Sequence, residues 1–374
     1  MKRETGHYQK LGNLDFFIPN SLPPKDPPFE LTHDLTIVYG QAMQQLAKLN
    51  EMSLRIPNTQ RFLKAYAIKE ALLSSEIEGI HTTIIDVFTQ PIEGNKPSKE
   101  TQLVLNYNKA LDVALTLIRE KGMPITNRII LSAHEALMNE GEGERANPGN
   151  YRKQPVRVGQ LVPPPANLIP ELMSALEKYI NTDDSLPPLI KAGLAHVQFE
   201  TIHPFLDGNG RIGRLLIVLI LIDNDLLNSP ILYPSYYFKK HHLEYYQRLD
   251  SVRTNGDFEG WISYYLEGII ASSQDAYRRA CDIELLEKEI NEQLSADQLT
   301  ARMHEQLSRT LLLLFQFPII NAKELAAQLD KSYNAANKLI AYFVNKGILH
   351  EIGEKKRNKL FQFKQYLELL EKEY

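Results

Sequence analysis

Between residues 203 and 222 a glycine-rich loop runs straight into a solid apolar block, and this junction limits the fold more than any other stretch. Leu215 to Ile222 is apolar on every side, the pattern of a helix buried all round. Its eight residues are far too few to cross a bilayer. Upstream, Leu189, Ile190, Leu194, Val197 and Ile202 recur at helical spacing, and Pro204, which has no backbone donor, ends that run. Two buried helices joined by a fixed loop require an all-α body with a sizeable core.

The loop reads His203-Pro204-Phe205-Leu206-Asp207-Gly208-Asn209-Gly210-Arg211-Ile212-Gly213-Arg214. Gly208 and Gly210 let successive N–H groups turn inward at a helix start, making an anion seat at the positive end of the dipole. Arg211 and Arg214 are three apart, share a face and can fork onto phosphate oxygens. Asp207 precedes the seat, and an acid beside phosphates commonly holds bridging Mg²⁺. His203 titrates near neutrality and suits a general base. Together these residues specify phosphoryl or nucleotidyl transfer. Rival motifs fail: an EF-hand would need ligands where Arg211 and Val218 stand, a Walker A loop needs Gly-Lys-Ser/Thr, and His196 is seven residues from His203 with no third zinc ligand near.

At these positions the chain resembles the Fic (Fido) family, whose motif is His-x-Phe-x-(Asp/Glu)-Gly-Asn-Gly-Arg-x-x-Arg, and every motif position is met. The resemblance implies an all-helical core with a small β-hairpin flap that transfers AMP from ATP to a Ser, Thr or Tyr hydroxyl of a protein, the chain itself included. It implies that His203 deprotonates that hydroxyl and Asp207 binds Mg²⁺. Gly208, Asn209, Gly210 and Arg211 would hold the α/β phosphates, with Ile212 and Gly213 in the same nucleotide-binding turn. Arg214 would reach the γ-phosphate, and Phe205 would anchor the loop.

A second stretch, Ser74-Ser75-Glu76-Ile77-Glu78-Gly79, closes an earlier helix, with Gly79 suited to its C′ position. A carboxylate in a last helical turn opposes the macrodipole by about 0.3–1 kcal/mol, so Glu78 calls for solvent or a cation. The family resemblance extends here, because Ser74, Glu78 and Gly79 match the inhibitory motif (Ser/Thr)-x-x-x-Glu-(Gly/Asn). It implies that Glu78 pairs with Arg214 and so withholds the arginine that the γ-phosphate needs.

Composition narrows the setting. A chain of 374 residues, 43% hydrophobic, buries a sizeable core in two or three domains. A net charge of −4 excludes a general nucleic-acid coat. The single Cys281 excludes an internal disulfide framework and fits a reducing cytoplasm. No apolar segment follows Met1-Lys2-Arg3-Glu4-Thr5, so neither a signal peptide nor a membrane span is expected.

In chain order, the prolines at 19, 23, 24, 27 and 28 suggest an extended arm over residues 1–30. Helical spacing follows at 31–54, 58–80, 100–120 and 127–139, then a glycine-rich loop at 141–143. Residues 156–162 alternate around Gly159 and read as a short hairpin, the flap that in the family aligns a target segment by strand addition. Helices at 168–181 and 189–202 lead into the loop. Tyr233, Tyr236, Tyr237, Tyr245 and Tyr246 form an aromatic stripe that reads as core, with Tyr246 placed near the adenine by resemblance. A helix over 258–270 closes the core, and 271–305 reads as a charged connector.

Two helices at 321–329 and 333–345, followed by a basic hairpin around Lys355-Lys356-Arg357, read as a winged helix-turn-helix. Such a unit binds DNA, here through Lys331, Lys338 and the wing, or serves as a protein-docking or homodimer-forming module. The expected division is 1–110 for the arm and inhibitory region, 111–275 for the Fic-type core, and 276–374 for connector and winged helix. Two alternatives stand beside the adenylyltransferase reading. One is a DNA-binding regulator whose core only senses nucleotide. The other is a related Fic enzyme that uses a different donor or removes AMP.

Overall fold

The computed structural model describes residues 3–55, 60–93, 96–139, 147–353 and 358–373. The first departure from expectation comes at once. Gly6–Leu11 (β1) and Leu14–Pro19 (β2) pair antiparallel, in register from Gly6↔Pro19 to Leu11↔Leu14, where an extended arm was expected. Gly12, at φ +61°, supplies the turn, and Phe16, Phe17 and Ile18 are buried. Pro19 ends β2, and the other prolines follow the hairpin. Its second strand docks on the core through Phe17 N–H to the Val162 carbonyl, 2.9 Å.

The body is helical: α1 (His33–Arg55), α2 (Gln60–Ile77), α3 (Ile84–Glu93), α4 (Lys99–Leu115), α5 (Asn127–Met138), α6 (Ile169–Asn181), α7 (Pro188–Ile202), α8 (Asn209–Asp223), α9 (Ser235–Lys240), α10 (His242–Asn255) and α11 (Phe258–Ala296). Helix α8 is the axis of the core, packed by α2, α4, α5 and α7. Every residue from Leu215 to Ile222 is at most 5% exposed, as an all-apolar helix requires. Each such side chain contributes roughly 1.5–3 kcal/mol by leaving water. The expected helix over 100–120 is two pieces, α4 and a π-helical turn at Thr116–Glu120.

The expected helix over 258–270 and most of the expected 271–305 connector are instead one helix of 39 residues, α11, while 301–305 belongs to a separate helix. Asp257 caps its start by accepting from Gly260 N–H at 2.9 Å. No proline breaks it, and buried Ile269, Ala276, Ile283, Ile290 and Leu294 carry one apolar stripe along its length. The divisions drawn at 110/111 and 275/276 therefore each fall inside a helix, α4 and α11. The 156–162 hairpin is reduced to one bridge, in which Val158 and Leu161 exchange N–H···O bonds of 2.9 Å. Prolines at 155 and 163–165 deny it the donors for longer strands.

Beyond α11 come α12 (Ala301–Gln316), β3 (Ile319–Ile320), α13 (Ala322–Leu329), α14 (Tyr333–Asn345), β4 (His350–Ile352), β5 (Leu360–Gln362) and α15 (Lys364–Glu371). The three strands form an antiparallel sheet in the order β3-β5-β4. Thr300, Asn321 and Ser332 cap the three helices before it with their side chains. Helix α15 returns to the body, where Lys69 Nζ donates to the Leu370 carbonyl at 2.9 Å and Arg279 Nη2 to that of Lys372 at 2.6 Å. The glycine-rich loop at 141–143 and the basic tip at 355–357 lie outside the described residues. No described helix is long and apolar enough to cross a membrane.

Candidate functional site

The site forms where α7 hands the chain to α8. His203 leaves α7 in the left-handed region (φ 50°, ψ 61°), a conformation that costs a non-glycine residue about 1 kcal/mol or more. Arg152, 1% exposed, offsets this cost. Its Nε donates to the His203 carbonyl (2.8 Å), its Nη2 to that of Pro164 (2.7 Å), and its own amide to that of Pro204 (2.9 Å). The His203 ring is therefore delivered at a fixed angle. Burial lowers its pKa to about 4, and Nδ1 has no described partner. At neutral pH it is an uncharged imidazole free to take a proton.

The loop beyond is closed from within. Asn209 Oδ1 accepts from Phe205 N–H at 2.8 Å and its Nδ2 donates to the Phe205 carbonyl at 2.9 Å. Its amide is thus committed to shaping the loop, and the anion seat is left to backbone groups. Phe205 is fully buried and stacks on His134, with centroids 3.7 Å apart and planes within 4°. Gly208, at φ +79°, caps α8, and a Cβ there would meet Met138 Sδ at 2.9 Å. Ile212 and Gly213 are buried in the first turn, and a Cβ on Gly213 would lie 2.4 Å from Glu200 Oε1. Gly213 is thus held in close contact with α7.

The charged residues divide sharply. Asp207 has a side chain 64% exposed, with Oδ1 accepting from Gly208 N–H at 2.6 Å and lying 3.5 Å from Arg211. Arg211 is 1% exposed, yet its Nε and Nη1 have no described hydrogen-bond partner. Two buried guanidinium donors left unpaired are costly unless an anion arrives. Arg214, equally buried, is engaged instead. Its Nε donates to Ser74 Oγ (2.9 Å), and its Nη2 to the Ser74 carbonyl (2.8 Å) and to Glu78 Oε1 (2.7 Å).

Glu78 reaches Arg214 because of how α2 ends. Gly79 takes φ +77°, its amide bonds the Glu76 carbonyl, and the Ile80 amide bonds that of Ser75, both at 3.0 Å. This left-handed cap turns the chain away and leaves Glu78 projecting from the last turn. Glu78 Oε1 lies 2.1 Å from where a Cβ on Gly210 would be, so the missing side chain makes its room. Burial pushes the Glu78 carboxyl up, but the Arg214 charge and hydrogen bond outweigh this and hold it below the ordinary range. Ser74, Glu78, Gly79 and Arg214 are thus brought together as the sequence suggests.

Tyr233 and Tyr245 are buried, and Tyr245 bonds His196 Nε2 through its hydroxyl at 2.8 Å. Tyr246 is the exposed member at 44%, tilted against Tyr245 at 5.2 Å. The tyrosine stripe is core, with one ring facing out near Glu78 and Arg214.

Three residues that the sequence reading passed over hold this geometry besides the motif. His134 accepts from Gly149 N–H through Nδ1 (3.0 Å) and bonds the Asp207 carbonyl through Nε2 (3.1 Å), so it is a neutral tautomer with its proton on Nε2. Burial lowers its pKa to about 4, which keeps it so. Arg152 is the second. Glu70, one turn before Ser74, accepts from Ser235 Oγ (2.5 Å) and N–H (3.2 Å), and burial raises its pKa to about 7. The only signal for Glu70 was its spacing of four and eight from Ser74 and Glu78. No group of three or more metal-ligating side chains occurs among the described residues. A divalent cation here would therefore rest on Asp207 and on oxygens of a bound phosphate, an ordinary arrangement for Mg²⁺.

Comparison with known proteins places this geometry in a lineage. The model of the Fic/DOC family matches residues 124–221, and that of the Fic/DOC family N-terminal region matches 38–116. A probable protein adenylyltransferase of Aquifex aeolicus is 29% identical over 177 residues, which is 45% of this chain and 52% of that protein. A protein adenylyltransferase Fic of Drosophila ananassae is 29% identical over 197 residues, 49% of this chain and 38% of that one. The chain thus matches about half or less of the length of these curated relatives. Among solved structures, a Fic family protein from Desulfovibrio desulfuricans superposes with a TM-score of 0.56 at 22% identity, covering 90% of this chain and 97% of that one. Fic-1 from C. elegans gives 0.56 at 20% identity, over 67% and 74%. The Glu78–Arg214 pair joins one matched segment to the other, and by both of them the chain belongs to the Fic/DOC family.

Proposed function

We propose that this protein transfers AMP from ATP to a hydroxyl side chain of a protein and that Glu78 holds the reaction back. One observation carries the reading: a carboxylate of the chain's own already lies in an anion seat, 2.7 Å from Arg214 and over the glycine gap at Gly210. A seat of this kind at a helix start is built for phosphate. The curated relatives named as adenylyltransferases support the choice of donor.

In this mechanism the phosphate tail of ATP lies along the first turn of α8. The α8 amides and the unpaired Nε and Nη1 of Arg211 hold it, and Arg214, once free of Glu78, takes the γ-phosphate. His203 Nδ1 or its opposite nitrogen accepts the proton as the target oxygen attacks the α-phosphorus in line. A new P–O bond forms to the target, the bond to the β-phosphate bridging oxygen breaks, and pyrophosphate leaves. Mg²⁺ held at Asp207 would neutralise charge on the leaving phosphates. With Glu78 in place, Arg214 is occupied and ATP sits out of line.

The decisive experiment uses ATP labelled at the α-phosphate with the Glu78→Gly protein, since labelling of the chain itself needs no known target. Adding His203→Ala should then lower protein labelling by about 10²–10⁴-fold, the usual contribution of a general base. Full labelling without His203 would overturn the assignment. The C-terminal order of helix, helix and hairpin supports a winged-helix unit, with Lys338 exposed on its second helix, as a DNA-binding or docking module.

A further inference from the structure

A cavity of about 600 Å³ lies away from the α8 loop, walled by α2, α3 and α4 and floored at one edge by the C-terminal unit. This is within the size range of sites for small organic ligands, roughly 300–1,000 Å³. Its wall is mostly apolar, with Ile68 from α2, Val87 and Phe88 from α3, and Leu105 and Leu111 from α4. A void of this size lined by apolar groups forfeits packing energy unless something fills it.

The polar groups in that wall identify the filler. Asn108 Oδ1 is buried and has no donor. Asp112 lies four residues on, hence on the same face of α4, at the exposed rim of the lining. Burial alone raises its carboxyl, with no opposing positive charge. The two cations of the lining are engaged elsewhere. Lys64 Nζ sits 4.1 Å from the Phe317 ring centre, with Glu324 acting on it, and Arg119 donates to the Asn228 carbonyl. The unpartnered Asn108 Oδ1 and the Asp112 carboxylate thus lie one turn apart at the wall of a mostly apolar chamber.

We propose that this cavity is a binding site for a small molecule with an apolar or aromatic body and a protonated amine head, the head on Asn108 and Asp112 and the body against Phe88, Ile68 and Leu111. Neither the α8 loop nor its nucleotide takes part.

The test uses full-length protein and three fluorescent probes sharing one dansyl group. Monodansylcadaverine carries a primary amine, dansylamide lacks it, and dansylglycine carries a carboxylate. The amine should show saturable, one-to-one enhancement, bound about tenfold more tightly than either of the others, as a charge-assisted hydrogen bond provides. Asp112→Asn, an isosteric change at an exposed position, should remove that preference while leaving the melting temperature unchanged. Ala67→Trp, which fills the chamber from α2, should abolish saturable binding of all three. No saturable binding, equal binding by Asp112→Asn, or preference for dansylglycine would each overturn the proposal.

Discussion

Helix α2 is finished at one end and unfinished at the other. Leu63, Ala67, Glu70 and Ser74 lie on one stripe of the helix at spacings of four, three and four, and Glu78 continues it. At the C-terminal end the polar groups of this stripe are answered: Ser74 and Glu78 by Arg214, Glu70 by Ser235. At the N-terminal end, about 16 Å away by helical rise, Leu63 and Ala67 border a void with an unanswered amide oxygen opposite. One helix thus carries a charged lock at one end and a loosely packed wall at the other. Where contacts are paired, removing one partner costs stability. Where they are incomplete, substitution can add it.

The largest effect expected is at Arg214. Replacing it with Met leaves the Ser74 groups and Glu78 in a buried site without their donor. Breaking a buried ion pair from one side costs about 3–5 kcal/mol. Thermal unfolding should register this as a clear fall in midpoint, and an unchanged midpoint would mean that the lock is not a structural contact at all. Next comes Glu78→Gln, which keeps the shape and removes the charge. Labelling from α-labelled ATP should rise by about tenfold, equivalent to 1.4 kcal/mol released for nucleotide binding. If Arg214→Met destabilises while Glu78→Gln leaves labelling flat, the pair is structural only.

Glu70 gives a pH-dependent effect. Its carboxyl is pushed up to about 7 from the usual 4.5, so the folded chain keeps a proton that the unfolded chain has lost. Its contribution to stability is therefore complete below 4.5 and is lost as pH rises through 7. Glu70→Gln stays neutral and should erase that slope, so its stability relative to the parent should grow by up to about 1.4 kcal/mol per pH unit across this window. Urea titrations at pH 5 and pH 7.5 measure the difference directly. Buried His134 and His203, each lowered to about 4, act with the opposite sign and are present in both proteins, so they cancel.

The lock and the void differ equally in how far they can be read from sequence. His203, Asp207, Gly208, Gly210, Arg211 and Arg214 are consecutive, so their chemistry is written within twelve residues, and Ser74, Glu78 and Gly79 within six. The all-helical body was also legible, because Leu215 to Ile222 of α8 is apolar at every position. His134, Arg152 and Glu70 were not, since each acts on backbone or side chains 50 to 165 residues distant that only the tertiary fold brings near. The same holds for β1 and β2, whose pairing is local but whose burial depends on Val162. The length of α11 was hidden because its surface turns polar after residue 270 while its buried stripe continues. A void leaves no mark on a sequence, because it is defined by what neighbours fail to reach.

The smallest effect expected is at the unfinished end, and its sign is the sharpest test of the comparison. Ala67 borders the cavity, so Ala67→Leu adds apolar volume toward open space. Leucine is also among the best helix formers, so the backbone loses little. Filling of this kind adds about 0.5–2 kcal/mol, which in a protein of this size lifts the melting midpoint by only a degree or two. The same substitution in a closed core would cost about 1–3 kcal/mol through overpacking. A lowered midpoint for Ala67→Leu would therefore show that the chamber closes in solution, and that α2 is as tightly held at Leu63 and Ala67 as it is at Glu78.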